Sequence, residues 1–315
     1  MVEIRKAWRA EALRVCGCDG LVSLEEPALP CSLEYLEIQG CENLESCQMN
    51  CKVSGWPPML RELEVDGCEG IKALPGDWMM MRMDGDNTNS SCVLERVEIR
   101  RCPSLLFFPK GELPTSLKQL IIRDCENVKS LPEGIMRTCN LEKLIIQGCS
   151  SLTSFPSGEL PSTLKDLVIS NCGNLELPPD HMPNLTALRI KGCKGLKHHH
   201  LQNLTSLEHL SITGCPSLES FREGVWVSPQ LESCCNCQLI WNPWPPCLSD
   251  PHSLEDLCIW DCPKLQQFLP KEGLPATLGW LEIRGCPIIE KRCLKDGGED
   301  WPHIAHIPII RIGRN

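Results

Sequence analysis

Eleven copies of one twelve-residue phrase, Leu-x-x-Leu-x-Ile-x-x-Cys-x-x-Leu, run down this 315-residue chain and leave it few ways to fold. The phrase reads LEYLEIQGCENL from Leu33, LKQLIIRDCENV from Leu117 and LEKLIIQGCSSL from Leu141. Further copies are LKDLVISNCGNL from Leu164, LEHLSITGCPSL from Leu207 and LEDLCIWDCPKL from Leu254. Many close on Phe-Pro or Leu-Pro. The repeat cysteines stand at 18, 41, 68, 102, 125, 149, 172, 193, 215, 262 and 286, and most steps between them are 21 to 27 residues. The 34-residue step from Cys68 to Cys102 carries an insertion over 76–91. The gap from Cys215 to Cys262 holds a degenerate twelfth copy over 231–250, with Leu239 in the cysteine slot.

A period in this range is that of leucine-rich repeats. Within each copy the Leu-x-Ile core alternates with the period of a short strand, so Leu and Ile face one way and their neighbours the other. The Cys and the Leu after it continue inward through a turn, and Pro ends the regular hydrogen bonding. One copy buries about five apolar side chains, each worth roughly 1.5–3 kcal/mol when fully covered. It has no second layer of its own to cover them, so copies must stack. The expected fold is an α/β leucine-rich repeat solenoid, a curved horseshoe. Short parallel strands would line its concave face, with mostly turns and short helical pieces on the convex one. The array is expected over 11–290 as about twelve repeats, after an N-terminal edge at 1–10.

The cysteine slot is the asparagine-or-cysteine position of such repeats. A thiol there offers only a weak hydrogen bond and packs as a small apolar group. That matters because 23 cysteines would otherwise suggest a disulfide scaffold. Eleven of them occupy equivalent inward slots, so free thiols are expected. The first fifteen residues alternate charges and do not read as a signal peptide. No run approaches the roughly 20 apolar residues of a membrane helix. A reducing, cytoplasmic setting follows as the expectation. Net charge is −10, from 31 basic and 41 acidic residues, with no basic stripe for nucleic acid.

The chain lacks a phosphate-binding Gly-x-x-x-x-Gly-Lys-Ser/Thr loop, a His-Glu-x-x-His pair and a Gly-x-Ser-x-Gly elbow, so no enzyme is expected. Two clusters invite a metal reading: His198, His199 and His200, and Cys234, Cys235 and Cys237. Neither has the matching second pair that a zinc site requires. A solvated turn is the simpler reading of the histidines, and Cys235 and Cys237 would project onto the concave face as reactive thiols if Leu231 sets the register.

The phrases resemble the repeat region of plant intracellular immune receptors of the coiled-coil, nucleotide-binding, leucine-rich repeat type. The segments CPSLLFFPKGELPTSLKQLIIRDCENVKSLPEGIM from Cys102 and CSSLTSFPSGELPSTLKDLVISNC from Cys149 carry the resemblance most specifically. The ending from Cys286, CPIIEKRCLKDGGEDWPHIAHIPIIRI, is similar to the family's terminal cap, here 291–315. The resemblance implies a recognition module that senses a pathogen effector or a guarded host protein and restrains a nucleotide-binding domain. These residues include neither the coiled coil nor that domain. No cofactor is therefore expected, and ATP or ADP enters only if such a domain lies upstream. A stand-alone adaptor, such as a ubiquitin-ligase substrate-recognition module, is the alternative.

Partner contacts are expected on the outward strand positions. These are Tyr35, Glu37, Gln39, Glu62, Glu64 and Asp66, then Arg96, Glu98, Arg100 and Arg101, then Arg189 and Lys191. Toward the end come Trp260 and Trp280 with Asp256, Asp261, Glu282 and Arg284. The two tryptophans are the expected anchors, since interface centres are enriched in Trp, Tyr and Arg. Packing beneath the cap is the competing reading. Trp241 and Trp244 are expected on the convex side, and the insertion is expected to form a loop.

Overall fold

The computed structural model describes residues 11–24, 29–49, 57–72, 74, 93–108, 113–136, 140–177, 182, 184–196, 201, 204, 206–220, 254–269 and 274–313. The expectations for 1–10, the 76–91 insertion, the 231–250 repeat, the His198 and Cys234 clusters, Trp241 and Trp244 lie outside the described residues. The chain divides into two compact units, Met1–Leu164 with Asn174–Glu176, and Lys165–Gly173 with Leu177–Asn315.

The strands of the first unit mostly fall on a Leu-x-Ile core. These are β1 (Ala12–Cys16), β2 (Ser23–Leu24), β3 (Tyr35–Gln39), β4 (Ser46–Met49), β5 (Glu62–Asp66), β6 (Arg96–Arg100), β7 (Gln119–Arg123) and β8 (Lys143–Gln147), of which only β2 and β4 lie outside the cores. Strands β1, β3, β5, β6, β7 and β8 pair in parallel in that order. The pairing sets Leu opposite Leu and Ile or Val opposite Ile, as in Leu36↔Leu63 and Ile38↔Val65. The same register recurs between β6 and β7 and between β7 and β8. Strands β2 and β4 form a small separate parallel pair that the phrase does not announce.

The second unit repeats the arrangement with β9 (Asp166–Ser170), β10 (Ala187–Lys191), β11 (His209–Thr213), β12 (Asp256–Trp260) and β13 (Trp280–Arg284). After the last phrase come α1 (Pro287–Arg292), α2 (Trp301–Ile304) and a further strand, β14 (Ile309–Ile312), which pairs in parallel with β13. No copy of the phrase marks β14. Arg292 holds this terminal segment together by a bidentate contact to Asp300, at 2.7 Å through Nε and 2.7 Å through Nη2.

Both units are leucine-rich repeat solenoids by this geometry, with little helix. A 3-10 turn at Glu133–Met136 is the helical piece of the first unit's described turns. The inward columns are closed to solvent: Leu33, Leu36, Ile38, Cys41 and Leu44 of one repeat are all 0 % exposed. Two tight turns recur between strands among the described residues. The Cys carbonyl accepts from the N–H of the Leu three residues on, as in Leu152 to Cys149 at 3.3 Å. The Pro carbonyl likewise accepts from the first Leu of the next phrase, as in Leu117 to Pro114 at 3.0 Å. Pro therefore does more than end a strand; it opens the turn that enters the next one.

The residue before each repeat cysteine is left-handed. Gly17, Gly40, Gly67, Arg101, Asp124 and Gly148 in the first unit, and Asn171, Gly192, Gly214, Asp261 and Gly285 in the second, have φ between 49 and 65°. Glycine adopts this region freely, and Asn and Asp tolerate it through local hydrogen bonding. Where an Asx residue fills the slot, its side chain lies over the glycine of the next copy. A Cβ on Gly148 would stand 2.2 Å from Asp124 Oδ1, and one on Gly285 would stand 2.2 Å from Asp261 Oδ1. Arg101 is the residue in this series with neither advantage. A bidentate pair with Asp66, at 2.8 and 2.6 Å, holds it there.

Side chains add rungs between copies. Asn127 Nδ2 donates to Pro103 O at 2.9 Å, and Asn43 Nδ2 to Asp19 O at 2.8 Å, each two residues past the cysteine. Hydroxyls just before the first Leu do the same: Ser116 to Leu94 O at 2.8 Å, Thr163 to Leu141 O at 2.9 Å and Thr277 to Leu254 O at 3.0 Å. The cysteines form the weaker ladder that their chemistry allows. Cys125 Sγ lies 3.4 Å from Arg123 O and 3.9 Å from Ile99 O. The ten repeat cysteines from Cys41 to Cys286 are buried free thiols, and Cys18 is half-buried.

Two predictions follow from this packing. Gly148→Ala should destabilise the chain by roughly 2–3 kcal/mol, from left-handed strain and the contact with Asp124. In an Asp124→Gly background the cost should shrink by about 1 kcal/mol or more, leaving mainly the strain. Urea midpoints of the four proteins test this; an undiminished cost would show that the side chain over the glycine is not the cause. The second prediction concerns alkali. Burial pushes the Cys41 thiol up to about 11 and the Cys193 thiol up to about 12, and it raises Cys68 and Cys215 as well. The folded state therefore keeps protons that the unfolded chain releases near the ordinary thiol value. Stability from this source is complete below that value and falls as pH rises through 11 to 12. Denaturant midpoints flat from pH 9 to 12 would contradict it.

Candidate functional site

The outward face of the first unit is an internally paired charge network. Register places Glu37 opposite Glu64, and Glu64 opposite Glu98, so three carboxylates stack across three strands. Like charges directly opposite one another destabilise a sheet unless neutralised. Arginines on both sides do this. Arg14 meets Glu37 at 2.8 Å, Arg100 meets Glu64 at 3.3 Å, and Arg96 meets Glu62 at 3.6 Å. Glu98 accepts from both Arg96 and Arg100, and Arg123 stands 3.6 Å away. Glu98 is only 1 % exposed as a result, although its backbone position points outward. The Tyr35 phenol donates to Glu37 at 3.1 Å with Glu64 at 3.4 Å. Burial, reinforced by those two carboxylates, pushes it up to about 12.

Among the sequence-derived candidates, Glu62, Glu64, Arg96 and Arg100 are thus brought together, with one another and with Asp66, Arg101 and Glu98. They are members of one network rather than scattered solvated charges. The signal was present in the sequence: aligning the copies stacks the three glutamates in one column. On β7 and β8 the corresponding middle positions are Ile121 and Ile145, which face each other across the strands and are 4 and 6 % exposed.

The second unit presents a more open face. Arg189 pairs with Asp166 at 2.9 Å, and His209 Nδ1 with Asp256 at 2.8 Å. Lys191 stands exposed at the end of β10. Small residues at the middle positions, Ser211 and Cys258, leave a shallow depression of about 280 Å³ rimmed by Arg189, His209 and Asp256. A carboxylate-held imidazole beside a hydroxyl and a thiol resembles part of a hydrolytic triad. The resemblance ends there. Among the described residues neither Ser211 nor Cys258 bonds to the ring, and burial raises the Cys258 thiol instead of activating it.

Trp260 and Trp280 lie on neighbouring strands but at opposite ends of them. Trp260 pairs with Arg284, and Trp280 pairs with Asp256. Four strand residues separate the two positions, about 13 Å at the usual rise. They do not form one aromatic patch. Each ring has its own guanidinium: Arg284 lies 6.0 Å from the Trp260 centroid, and Arg311 of β14 lies 4.4 Å from that of Trp280. Glu282 holds Arg284 at 2.6 Å. Trp280 is therefore covered by the terminal segment, whereas Trp260 remains 36 % exposed. Sequence reading missed Arg311, because β14 carries no phrase to place it. Among the described residues no group of three or more His, Cys, Asp or Glu side chains could hold a metal, and no helix is long and apolar enough to cross a membrane.

The Glu98 cluster makes a direct prediction. Glu98→Gln should cost roughly 1–3 kcal/mol, because three guanidiniums lose the carboxylate they share while solvent screens part of the loss. Arg123→Gln should cost under about 1 kcal/mol, since its contact is the longest. Equal costs in urea denaturation would mean that Glu98 is not the centre of the network.

Comparison with known proteins agrees with the repeat architecture. Residues 108–223 match the family described as the leucine-rich repeat domain of endo-beta-N-acetylglucosaminidase EndoS. A 51-residue stretch, 16 % of the chain, is 49 % identical to a Solanum bulbocastanum protein that carries the name disease resistance protein RGA4. That stretch spans 5 % of the relative's length. Among solved structures, the leucine-rich repeat domain of the type III effector XopL is 20 % identical, with a TM-score of 0.44 over 98 % of this chain and 79 % of that one. YopM from Yersinia pestis is 20 % identical, with a TM-score of 0.39 over 99 % of this chain and 92 % of that one. The chain is a leucine-rich repeat protein.

Proposed function

We propose that this chain is a non-enzymatic, protein-binding repeat module of a cytoplasmic plant disease resistance receptor. It would bind a pathogen effector or a guarded host protein and act on a nucleotide-binding domain of the same or a related receptor. The observation that carries the reading is the 49 % identity over 51 residues to a protein named for disease resistance. The phrase resemblance along the rest of the chain supports it. The face of the second unit supports a binding role, because Trp260 presents an exposed ring beside a charged guanidinium. Such a pair can bury much area with little loss of side-chain freedom. Arg189, Lys191, Glu282 and Arg284 would then set orientation and exclude wrong partners.

The test is co-expression in leaf tissue with a coiled-coil, nucleotide-binding receptor fragment that lacks its own repeats and signals constitutively. The chain should co-purify with that fragment and reduce its cell-death output. Failure to bind any of a panel of such fragments, together with unchanged output, would overturn the receptor assignment. The face is tested separately. Trp260→Ala should weaken binding about tenfold or more, while Ser157→Ala on a turn should leave it unchanged. Trp280→Ala is expected to lower stability through loss of the Arg311 contact, so it reports on the terminal segment. A folded Trp260→Ala variant that binds as the parent does would exclude the face.

A further inference from the structure

We infer that Cys18 and Cys41 form a peroxide-sensitive thiol pair that closes into a disulfide across the first two described repeats. The inference is independent of the receptor reading. Register makes the pairing: Cys16 stands opposite Gln39, and the Gly17 N–H donates to Gln39 O at 2.9 Å. Two residues further on, Cys18 therefore stands opposite Cys41. The Cys18 thiol donates to Cys16 O at 3.3 Å and the Cys41 thiol to Gln39 O at 3.7 Å, so both thiols sit at the same step of neighbouring repeats. Adjacent strands lie about 4.8 Å apart, inside the roughly 4.4–6.8 Å Cα separation that a disulfide spans.

Every deeper pair of the ladder shares that spacing. Cys102 stands opposite Cys125 by the same register, and the Cys262 N–H donates to Cys286 Sγ at 3.3 Å. What distinguishes the first pair is access. Cys18 is the half-buried member of the repeat cysteines, whereas Cys41 and the later ones are buried. An oxidant in solution reaches Cys18 and not the later repeat cysteines, Cys41 to Cys286. The exposed thiols of Cys16 and Cys31 also meet oxidant, but Cys16 lies on the outward side of β1 and its Sγ approaches the Gln39 side chain at 4.0 Å.

The chemistry needs hydrogen peroxide as the oxidant. Cys18 thiolate attacks one peroxide oxygen; the S–O bond forms, the O–O bond breaks and hydroxide leaves, taking a proton to become water. Cys41 sulfur then attacks the Cys18 sulfenic sulfur. The S–S bond forms, the S–O bond breaks, and the departing hydroxide takes the Cys41 proton as the second water. Two thiols and one peroxide give one disulfide and two waters. Burial keeps Cys41 protonated at neutral pH, so the second step should be slow and should quicken toward alkaline pH. The product closes the chain between residues 18 and 41 and restricts the unfolded state.

The test treats the reduced, purified chain with hydrogen peroxide, blocks remaining thiols and maps peptides by mass spectrometry. The expected result is a Cys18–Cys41 crosslink as the main product, a urea midpoint raised in the oxidised protein, and reversal of both by dithiothreitol. Cys41→Ser should leave a sulfenic acid on Cys18 that dimedone traps, and Cys18→Ser should abolish the crosslink and the midpoint shift. A Cys16–Cys31 bridge as the main product would overturn the inference. So would overoxidation of Cys18 without a crosslink, or crosslinking at Cys102–Cys125 to the same extent.

Discussion

Each repeat offers one apolar face and nothing of its own to cover it, and the in-register stacking of neighbours is what the rest of the structure depends on. Leu36 and Ile38 are covered by Leu63 and Val65 of the next copy, and all four are 0 % exposed. At about 25 cal/mol per Å² the burial of one such layer is large compared with any single polar contact in it. Stability is therefore a property of neighbouring pairs. Every other regularity serves the stacking. The left-handed residue before the cysteine turns the chain without ending the ladder, since its N–H still donates to the next strand, as Asp124 does to Gln147 O at 2.7 Å. Asn127 and Ser116 tie the turns on either side of the strand.

Much of this was legible in the residues. Strand positions, inward side chains and parallel order all follow from the phrase, because a period of two fixes which side chains face the core. What escaped were features at positions that the phrase writes as x. The Gly, Asp or Asn before every repeat cysteine but Cys102 is a conformational signal, and the Asx-then-Gly alternation of Asp124 with Gly148 and Asp261 with Gly285 is a packing signal. Neither is apolar, so a search by hydrophobic period passes over both. The candidate face was less legible. The phrase fixes which residues point outward, but pairing depends on register between copies. Charges such as Glu64 and Arg100, read singly, look solvated; aligned, they form contacts. Arg311 was beyond reach, because β14 lies after the last copy.

The two faces differ in what a partner would have to displace. In the first unit the acidic column is already satisfied by arginines, so a new contact must break an existing one before it gains. Such a network favours rigidity and rejection of wrong partners over adhesion. In the second unit small residues at Ser211 and Cys258 leave room, and the exposed ring of Trp260 does not require another contact to be broken.

The cysteine slot shows how a weak interaction can be sufficient when the geometry repeats. An asparagine in that place would bring an amide needing several partners, each of which the stacking would have to supply. A thiol asks for little. Its contacts to carbonyl oxygens, 3.2 to 3.9 Å in length, contribute less than an amide bond would, and its volume fills the column. The stronger amide bonds move two residues along, to Asn43, Asn127 and Asn174, where the turn is exposed and water can satisfy what the protein does not. Separating the apolar role from the hydrogen-bonding role lets the core remain dry. It also makes accessibility, not intrinsic reactivity, the quantity that sets one thiol of the column apart from the next.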